Sequence, residues 1–224
     1  ELGCGRLSRA ELLSTLFNKA GFSVAVAGTS GKSTVTGMIA WILTHAGHDP
    51  TAMNGAVMKN FVSADNPFAS ARVGRPDLFV SEVDESDGSI ALYRPTVGVL
   101  LNVSLDHKSL DELRALFGDY VQKAGCAVIN LDNAEAGFLA SKAGQLVTFG
   151  VQSPQADISV IEGSIQQSAF DIRAEVNEAG SDRTIHLLVP MPGMHNLSNA
   201  LAALAASKAA GVDLAKAATA LSDF

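Results

Sequence analysis

The chain has 224 residues, of which 47% are apolar and 17% charged, enough to bury one sizeable core and too apolar to stay disordered. Its formal net charge of −7 argues against a broad nucleic-acid-binding face, which would need a Lys/Arg-rich surface. A local phosphate site stays open to it, because a few backbone N–H groups and one lysine suffice.

The opening Glu-Leu-Gly-Cys-Gly-Arg has no basic stretch followed by an apolar one, so no secretory signal is expected, and no apolar run approaches membrane-spanning length. Cys4 and Cys126 have neither disulfide nor metal spacing and read as ordinary thiols of a reducing cytosol, so a cytoplasmic protein is expected. The missing initiator Met suggests a fragment of a longer protein.

Residues 7–20 place Leu12, Leu13, Leu16 and Phe17 on one helical stripe. Residues 22–27 form a short apolar run of strand formers before Gly28, and 33–46 read as a helix closed by Gly47, with Pro50 beyond. Runs at 78–82 and 97–101 read as buried strands, and 110–123 as an amphipathic helix with Leu113, Leu116, Phe117 and Tyr120 on one side. A strand at 127–130, a helix at 134–142 and a strand at 146–149 continue the alternation. Strands separated by helices imply an α/β fold, a mainly parallel sheet with helices on both faces. From Asp157 the pattern changes. Short strand-like pieces at 158–161, 169–174 and 185–189, separated by Gly, Asn and Ser, predict a small antiparallel excursion over about 157–190. An Ala-rich helix at 196–210, ended by Gly211, follows, and another begins at Leu214.

Gly28-Thr-Ser-Gly-Lys-Ser-Thr34 lies between the predicted strand at 22–27 and its helix. Glycines there let backbone N–H groups point at one spot, and the helix N-terminus adds the positive end of its dipole. The pattern predicts a phosphate loop built from Gly28, Thr29, Ser30, Gly31, Lys32, Ser33 and Thr34, with Lys32 on terminal phosphate oxygens and the Ser33 hydroxyl on Mg²⁺. The loop is shortened, since the full pattern needs glycine where Val26 stands. The competing reading is a plain helix start with Ser33 as N-cap and Lys32 solvated; strand context, two glycines and Lys-Ser favour the nucleotide. Gly3-Cys-Gly5 lacks the third glycine and the preceding strand of a dinucleotide fingerprint.

Glu82 ends a buried strand, at the edge where open α/β sheets bind ligands, and His107 follows the end of another. Mg²⁺ prefers oxygen, so a carboxylate is a natural ligand and a histidine a less usual one. From the residues alone, Glu82 could simply face solvent and His107 could be a helix-entry residue. Asn196 and Asn199 can both donate and accept, as adenine requires, but on the residues alone helix capping, for which Asn196 is well suited, is the better explanation. Asp84, Glu85 and Asp87 read as a solvated acidic turn with no assigned role.

The shortened loop resembles the ATP loop of the Mur ligases and of their relative folylpolyglutamate synthase. Ser81-Glu-Val-Asp-Glu-Ser-Asp87, Asn102-Val-Ser-Leu-Asp-His107 and Gly193-Met-His-Asn-Leu-Ser-Asn-Ala200 are similar to further motifs of that family, in the family's order. They look most like its branch that joins L-alanine to UDP-N-acetylmuramate, and Arg9-Ala-Glu-Leu-Leu13 fits that branch's lead-in. The resemblance covers nearly the whole chain. It implies a P-loop-type middle domain over residues 21–224, with residues 1–20 ending an N-terminal domain and its linker helix, and with the C-terminal ligase domain absent. It implies ATP and Mg²⁺ as cofactors, Ser33 on the ATP-bound ion, and Glu82 and His107 on magnesium. It also puts Lys32 at the transferring phosphoryl group and His195, Asn196 and Asn199 on the adenine side.

The reaction so implied phosphorylates a substrate carboxylate and lets the amine of the amino acid attack the acyl phosphate. The partners would be a nucleotide sugar and an amino acid, held through flanking domains, with no nucleic acid and no membrane. The rival readings are murein peptide ligase, a non-catalytic nucleotide-binding module and, more weakly, a P-loop kinase. Ser30 stands where the branch usually has His, and Lys-Ser-Leu follows His107 where Met-Asp is common. Lys123 reads as a surface residue, not as the carbamylated lysine of other relatives. These departures bear on the substrate more than on the chemistry.

Overall fold

The structure, a computed structural model, describes residues 6–105 and 108–224. Ser8 and Glu11 form a reciprocal capping box that starts α1 (Arg9–Asn18). The chain continues through β1 (Phe22–Ala27), α2 (Lys32–His45), β2 (Pro50–Met53), β3 (Ala71–Arg72), β4 (Arg75–Glu82) and β5 (Val97–Leu100). Then come α3 (Leu110–Lys123), β6 (Cys126–Asn130), α4 (Ala134–Leu139), β7 (Leu146–Gly150) and β8 (Ile158–Val160). β9 (Gln166–Gln167), β10 (Ile172–Glu178) and β11 (Thr184–Val189) precede α5 (Met194–Ala209) and α6 (Leu214–Leu221).

The strands form one sheet in the order β3-β2-β4-β1-β5-β6-β7-β8-β10-β11, with β9 paired to β10. From β2 to β8 every neighbouring pair is parallel. β3 at one edge and β10 and β11 at the other run antiparallel to their neighbours. Successive residues of a strand point to opposite faces, and β1 shows the consequence. Val24 and Val26 enter the core shared with α2, α5 and α6, while Ala25 and Ala27 enter the core shared with α1, α3 and α4. Helices cover both faces, as the strand–helix alternation implies. Tyr120 is fully buried in the second core, and its hydroxyl donates to the Ala25 carbonyl at 2.8 Å. Burial raises its pKa far above that of an ordinary phenol.

Several expectations change. The stripe on α1 is only half used: Phe17 is buried, but Leu12 and Leu16 are 50% and 51% exposed. The helix packs through one flank, with Phe17 meeting Phe79 and Tyr93 edge-on. β2 escaped the sequence reading because it has four residues and begins with proline; as the first residue of the strand, Pro50 removes no needed ladder donor. The strand expected at 169–174 starts instead at Ile172. The Ser168 hydroxyl accepts from the N–H groups of Phe170 and Asp171, so these residues make a turn and Phe170 stays exposed at its tip. The antiparallel strands of 157–190 are not set apart: β8 pairs with β7, and Ile158, Val176 and Val189 lie in the same core as α2. Among the described residues no helix is long and apolar enough to cross a membrane. Cys126 is a half-buried free thiol, and Cys4 lies outside the described residues.

Candidate functional site

β1 sits between β4 and β5, both of which arise later in the chain, so its carboxyl end opens where connections leave in different directions. That edge is where open α/β sheets bind ligands. Val26 is in register with Glu82, and the Leu101 N–H donates to the Ala27 carbonyl, which levels the ends of all three strands.

The loop after β1 turns on two glycines at positive φ, Gly28 at 140° and Gly31 at 86°. Gly31 is the N-cap of α2 and offers no side-chain acceptor, so the first N–H groups of the helix are left directed at the loop. Ser33 is therefore not the cap. It lies inside the helix, and its hydroxyl donates to Glu82 Oε2 at 2.6 Å. Lys32 folds back over the loop, donating from Nζ to the Gly28 carbonyl at 2.8 Å and to Glu85 Oε2 at 2.9 Å.

The outer half of the loop is held from the connection after β5. Thr29 N–H donates to the Asn102 carbonyl at 3.2 Å, and Ser30 N–H donates to Asn102 Oδ1 at 3.0 Å. Asn102 Nδ2 returns a bond to the Ser30 carbonyl at 3.1 Å, and Ser104 N–H donates to Thr29 Oγ1 at 3.1 Å. On the other side Asn54 Nδ2 donates to the Ser33 carbonyl at 3.0 Å. Next to it Gly55 packs so tightly on the Glu82 carboxylate that any Cβ there would collide with it. Two clefts flank the loop. One of about 190 Å³ is lined by Arg9, Lys32, Glu82, Asp84, Asp87 and Tyr93; the other, of about 380 Å³, includes Ser33, Thr34, Lys59 and Met191. Burial raises the Tyr93 pKa, while hydrogen bonding to Ser89 lowers that of Asp87.

The three acids of the turn after β4 do different things. Asp84 accepts from the Ser86 N–H and Asp87 from the Ser89 N–H, both local turn bonds. Glu85, expected to be solvated, is only 8% exposed and reaches Lys32. Lys123 is half-buried rather than free on the surface, bonded to Asp119 and to the Ala91 carbonyl.

The late helix α5 also begins at a glycine, Gly193, that supplies no side-chain cap. Asn196 lies within its first turn and donates back to the Pro192 carbonyl at 2.8 Å, so capping does not explain it. Asn199, one turn on, touches the loop: a Cβ on Gly31 would lie 2.7 Å from its Oδ1. His195 is exposed and its ring packs over Gly193. The uncapped N-terminus of α2 thus opens at the loop, an arrangement suited to an anion, and the second turn of α5 reaches the loop through Asn199. His107 lies outside the described residues.

The donors present fit a hard cation. Ser33 Oγ and Glu82 Oε2 lie 2.6 Å apart, near the roughly 2.9 Å separating adjacent oxygens around an octahedral ion with 2.0–2.1 Å bonds. No group of three or more His, Cys, Asp or Glu that could hold a metal occurs among the described residues. An ion here would lean on phosphate and water oxygens, as Mg²⁺ habitually does. The sequence reading missed Asn54, Asn102 and Glu85 as contributors. Asn54-Gly55 looks like a turn dipeptide, Asn102 opens the Asn102–His107 motif with nothing local to mark its partners, and Glu85 lies in an acidic run with nothing to single it out.

A family model described as the Mur ligase middle domain matches residues 26–207. The UDP-N-acetylmuramate–L-alanine ligase of Maricaulis maris is 37% identical over 229 residues, covering 96% of this chain and 47% of that protein. The enzyme of the same name from Thermosynechococcus vestitus is 36% identical, covering 100% of this chain and 46% of its own length. The chain thus spans about half the length of the curated relatives it matches. Among solved structures, a murein peptide ligase from Psychrobacter arcticus superposes with a TM-score of 0.82 at 27% identity, over 97% of this chain and 50% of its own. The UDP-N-acetylmuramate-alanine ligase of Thermotoga maritima gives 0.80 at 27%, over 96% and 47%.

Proposed function

Since this chain belongs to the Mur ligase family, as a middle domain, we propose that it binds Mg-ATP on the 28–34 loop and serves a ligase that adds L-alanine to UDP-N-acetylmuramate. The observation that carries the nucleotide reading is the loop itself, with Lys32 folded over it and the Ser33 hydroxyl beside the Glu82 carboxylate. In this reading the backbone N–H groups at the start of α2 and Lys32 take the phosphates. Ser33 and Glu82 would hold a magnesium ion, whose contribution is to offset negative charge at the phosphates. His107 is proposed as a further magnesium ligand on the strength of its motif alone. Asn199, already against the loop, and Asn196 are proposed to face adenine, with His195 at the rim.

The whole ligase would bring three groups together: the acceptor carboxylate, the terminal phosphate and the amine of the amino acid. Lys32 would stabilise charge while the carboxylate attacks the terminal phosphorus and ADP leaves, and the amine would then displace phosphate from the acyl phosphate. Such positioning asks for more protein around the nucleotide than one wall of an open sheet edge. The identity of 36–37% to curated alanine-adding relatives favours L-alanine over a recycled peptide, while the solved structures of the two kinds of ligase stand at the same 27% and favour neither.

Calorimetry tests the nucleotide half. Mg-ATP is expected to bind this chain weakly, and Lys32→Ala is expected to cost at least about tenfold in affinity, the order for losing one charge-assisted bond. A folded Lys32→Ala protein with undiminished affinity would remove the phosphate-loop assignment. Amino-acid exchange with the protein at the full length of its relatives, comparing L-alanine with other amino acids and murein tripeptide, tests the other half.

A further inference from the structure

The two loop side chains on which nucleotide binding depends both already have carboxylate partners. Ser33 is bonded to Glu82, and Lys32 is bonded to Glu85. Glu85 is the unexpected member. It is 8% exposed, and the Lys32 ammonium supplies its ion-pair partner at 2.9 Å. Its neighbours in the turn, Asp84 and Asp87, are both exposed and committed to local N–H groups, so Glu85 is the acid of this turn that bonds the loop lysine. A carboxylate oxygen at that distance makes the same charge-assisted contact with Lys32 that a terminal phosphate oxygen would make.

We propose that Glu85 is a placeholder for the terminal phosphate, occupying the Lys32 ammonium in the nucleotide-free protein and exchanged for a phosphate oxygen when a triphosphate arrives. The proposal rests on the reading of the 28–34 loop as an ATP site. Two consequences follow from the geometry. Lys32 is held across the loop toward the Gly28 carbonyl rather than free in water, so less rotamer freedom is lost when phosphate replaces the carboxylate. A nucleotide without terminal phosphates cannot make the exchange, and gains nothing from Lys32 while Glu85 holds it. Glu85 is thus a positioning residue for Lys32, and it sets a charge threshold that a phosphate must outcompete.

The test is a calorimetric titration of the chain with Mg-ATP, Mg-ADP and AMP. The proteins are the wild type, Glu85→Gln, Glu85→Ala, Lys32→Ala and the Lys32→Ala/Glu85→Gln double variant, each checked for folding by thermal melting. Glu85→Gln keeps the shape and removes the charge, so Mg-ATP is expected to bind about threefold tighter or more, the scale of one partly screened ion pair. AMP affinity should stay put, and the gain should vanish when Lys32 is absent. Glu85→Ala should show the same direction, so either variant decides the matter if the other fails to fold. If Lys32→Ala weakens ATP binding while both Glu85 variants leave it unchanged or weaker, the placeholder is overturned and the nucleotide site stands. Equal gains for AMP and ATP, or a gain that persists without Lys32, also overturn the exchange. No ATP binding by the wild type, or binding indifferent to Lys32→Ala, removes the nucleotide reading and the proposal with it.

Discussion

Asn102 shows how much of the 28–34 loop is decided one residue at a time. Its side chain accepts from the Ser30 N–H and donates to the Ser30 carbonyl, while its own carbonyl accepts from the Thr29 N–H. A glycine-containing loop is entropically expensive to order, and these bonds order it before any ligand arrives. Asn102→Ala is expected to lose about 1 kcal/mol of stability, the net value of a partly exposed hydrogen-bonded side chain. The same variant should weaken Mg-ATP by a larger proportion than it weakens the fold, because the loop must then be ordered at the expense of binding. Urea denaturation paired with calorimetry measures both. An unchanged ATP affinity in the folded variant would show that Asn102 does not preorganise the site.

Among the elements, α3 has the clearest local logic. Ser109 and Glu112 make a capping box, with Ser109 accepting from the Glu112 N–H and Glu112 accepting from the Ser109 N–H and hydroxyl. Those bonds lower the Glu112 pKa below its ordinary value of 4.5, the Ser109 hydroxyl contributing most. A depressed folded-state pKa gives a stabilisation that is present above the unfolded value and is lost as pH falls through the folded one. The stability difference between wild type and Glu112→Gln should therefore be steady at neutral pH and shift against the wild type as pH drops below about 4.5. Melting curves of the two proteins across that range read it out. A pH-independent difference would mean that the Glu112 charge contributes nothing to the cap.

For the whole molecule, the question is whether residues 157–190 fold with the rest. Ile158, Ile172, Val176 and Val189 pack in the core that also contains Val24, Met38 and Leu201. The parallel pairing of β8 with β7 carries the hydrogen-bond ladder across the boundary. α5 packs against β5, β6 and β7 on one side and α2 and α6 on the other, which is why its alanines are buried on so much of its circumference. A shared core and an unbroken ladder predict one cooperative transition. Trp41, the single tryptophan, reports on α2, where its indole N–H donates to the Ala220 carbonyl. Its fluorescence and far-UV circular dichroism should give coincident urea curves. Separated midpoints would show that the antiparallel strands unfold as a unit of their own.

What the amino-acid sequence determined by itself was local or periodic. The strand–helix alternation, the bounds of α3 and the glycine turn before Lys32 are all written within a few neighbouring residues, because caps, side-chain period and positive φ are short-range requirements. The family's motifs were likewise legible as short strings. Tertiary structure decided everything that needed two distant segments. Examples are the place of β1 between β4 and β5, the contact of Asn199 with Gly31, and the bonds of Asn102 to a loop about seventy residues earlier. Glu85 makes the distinction sharpest. In the sequence it is one of several acids in a turn, and nothing in its spacing sets it apart from Asp84 and Asp87. Only the packing of that turn beside the loop withdraws it from water and leaves it bonded to Lys32, because a carboxylate deprived of solvent needs a cation, and Lys32 is within reach.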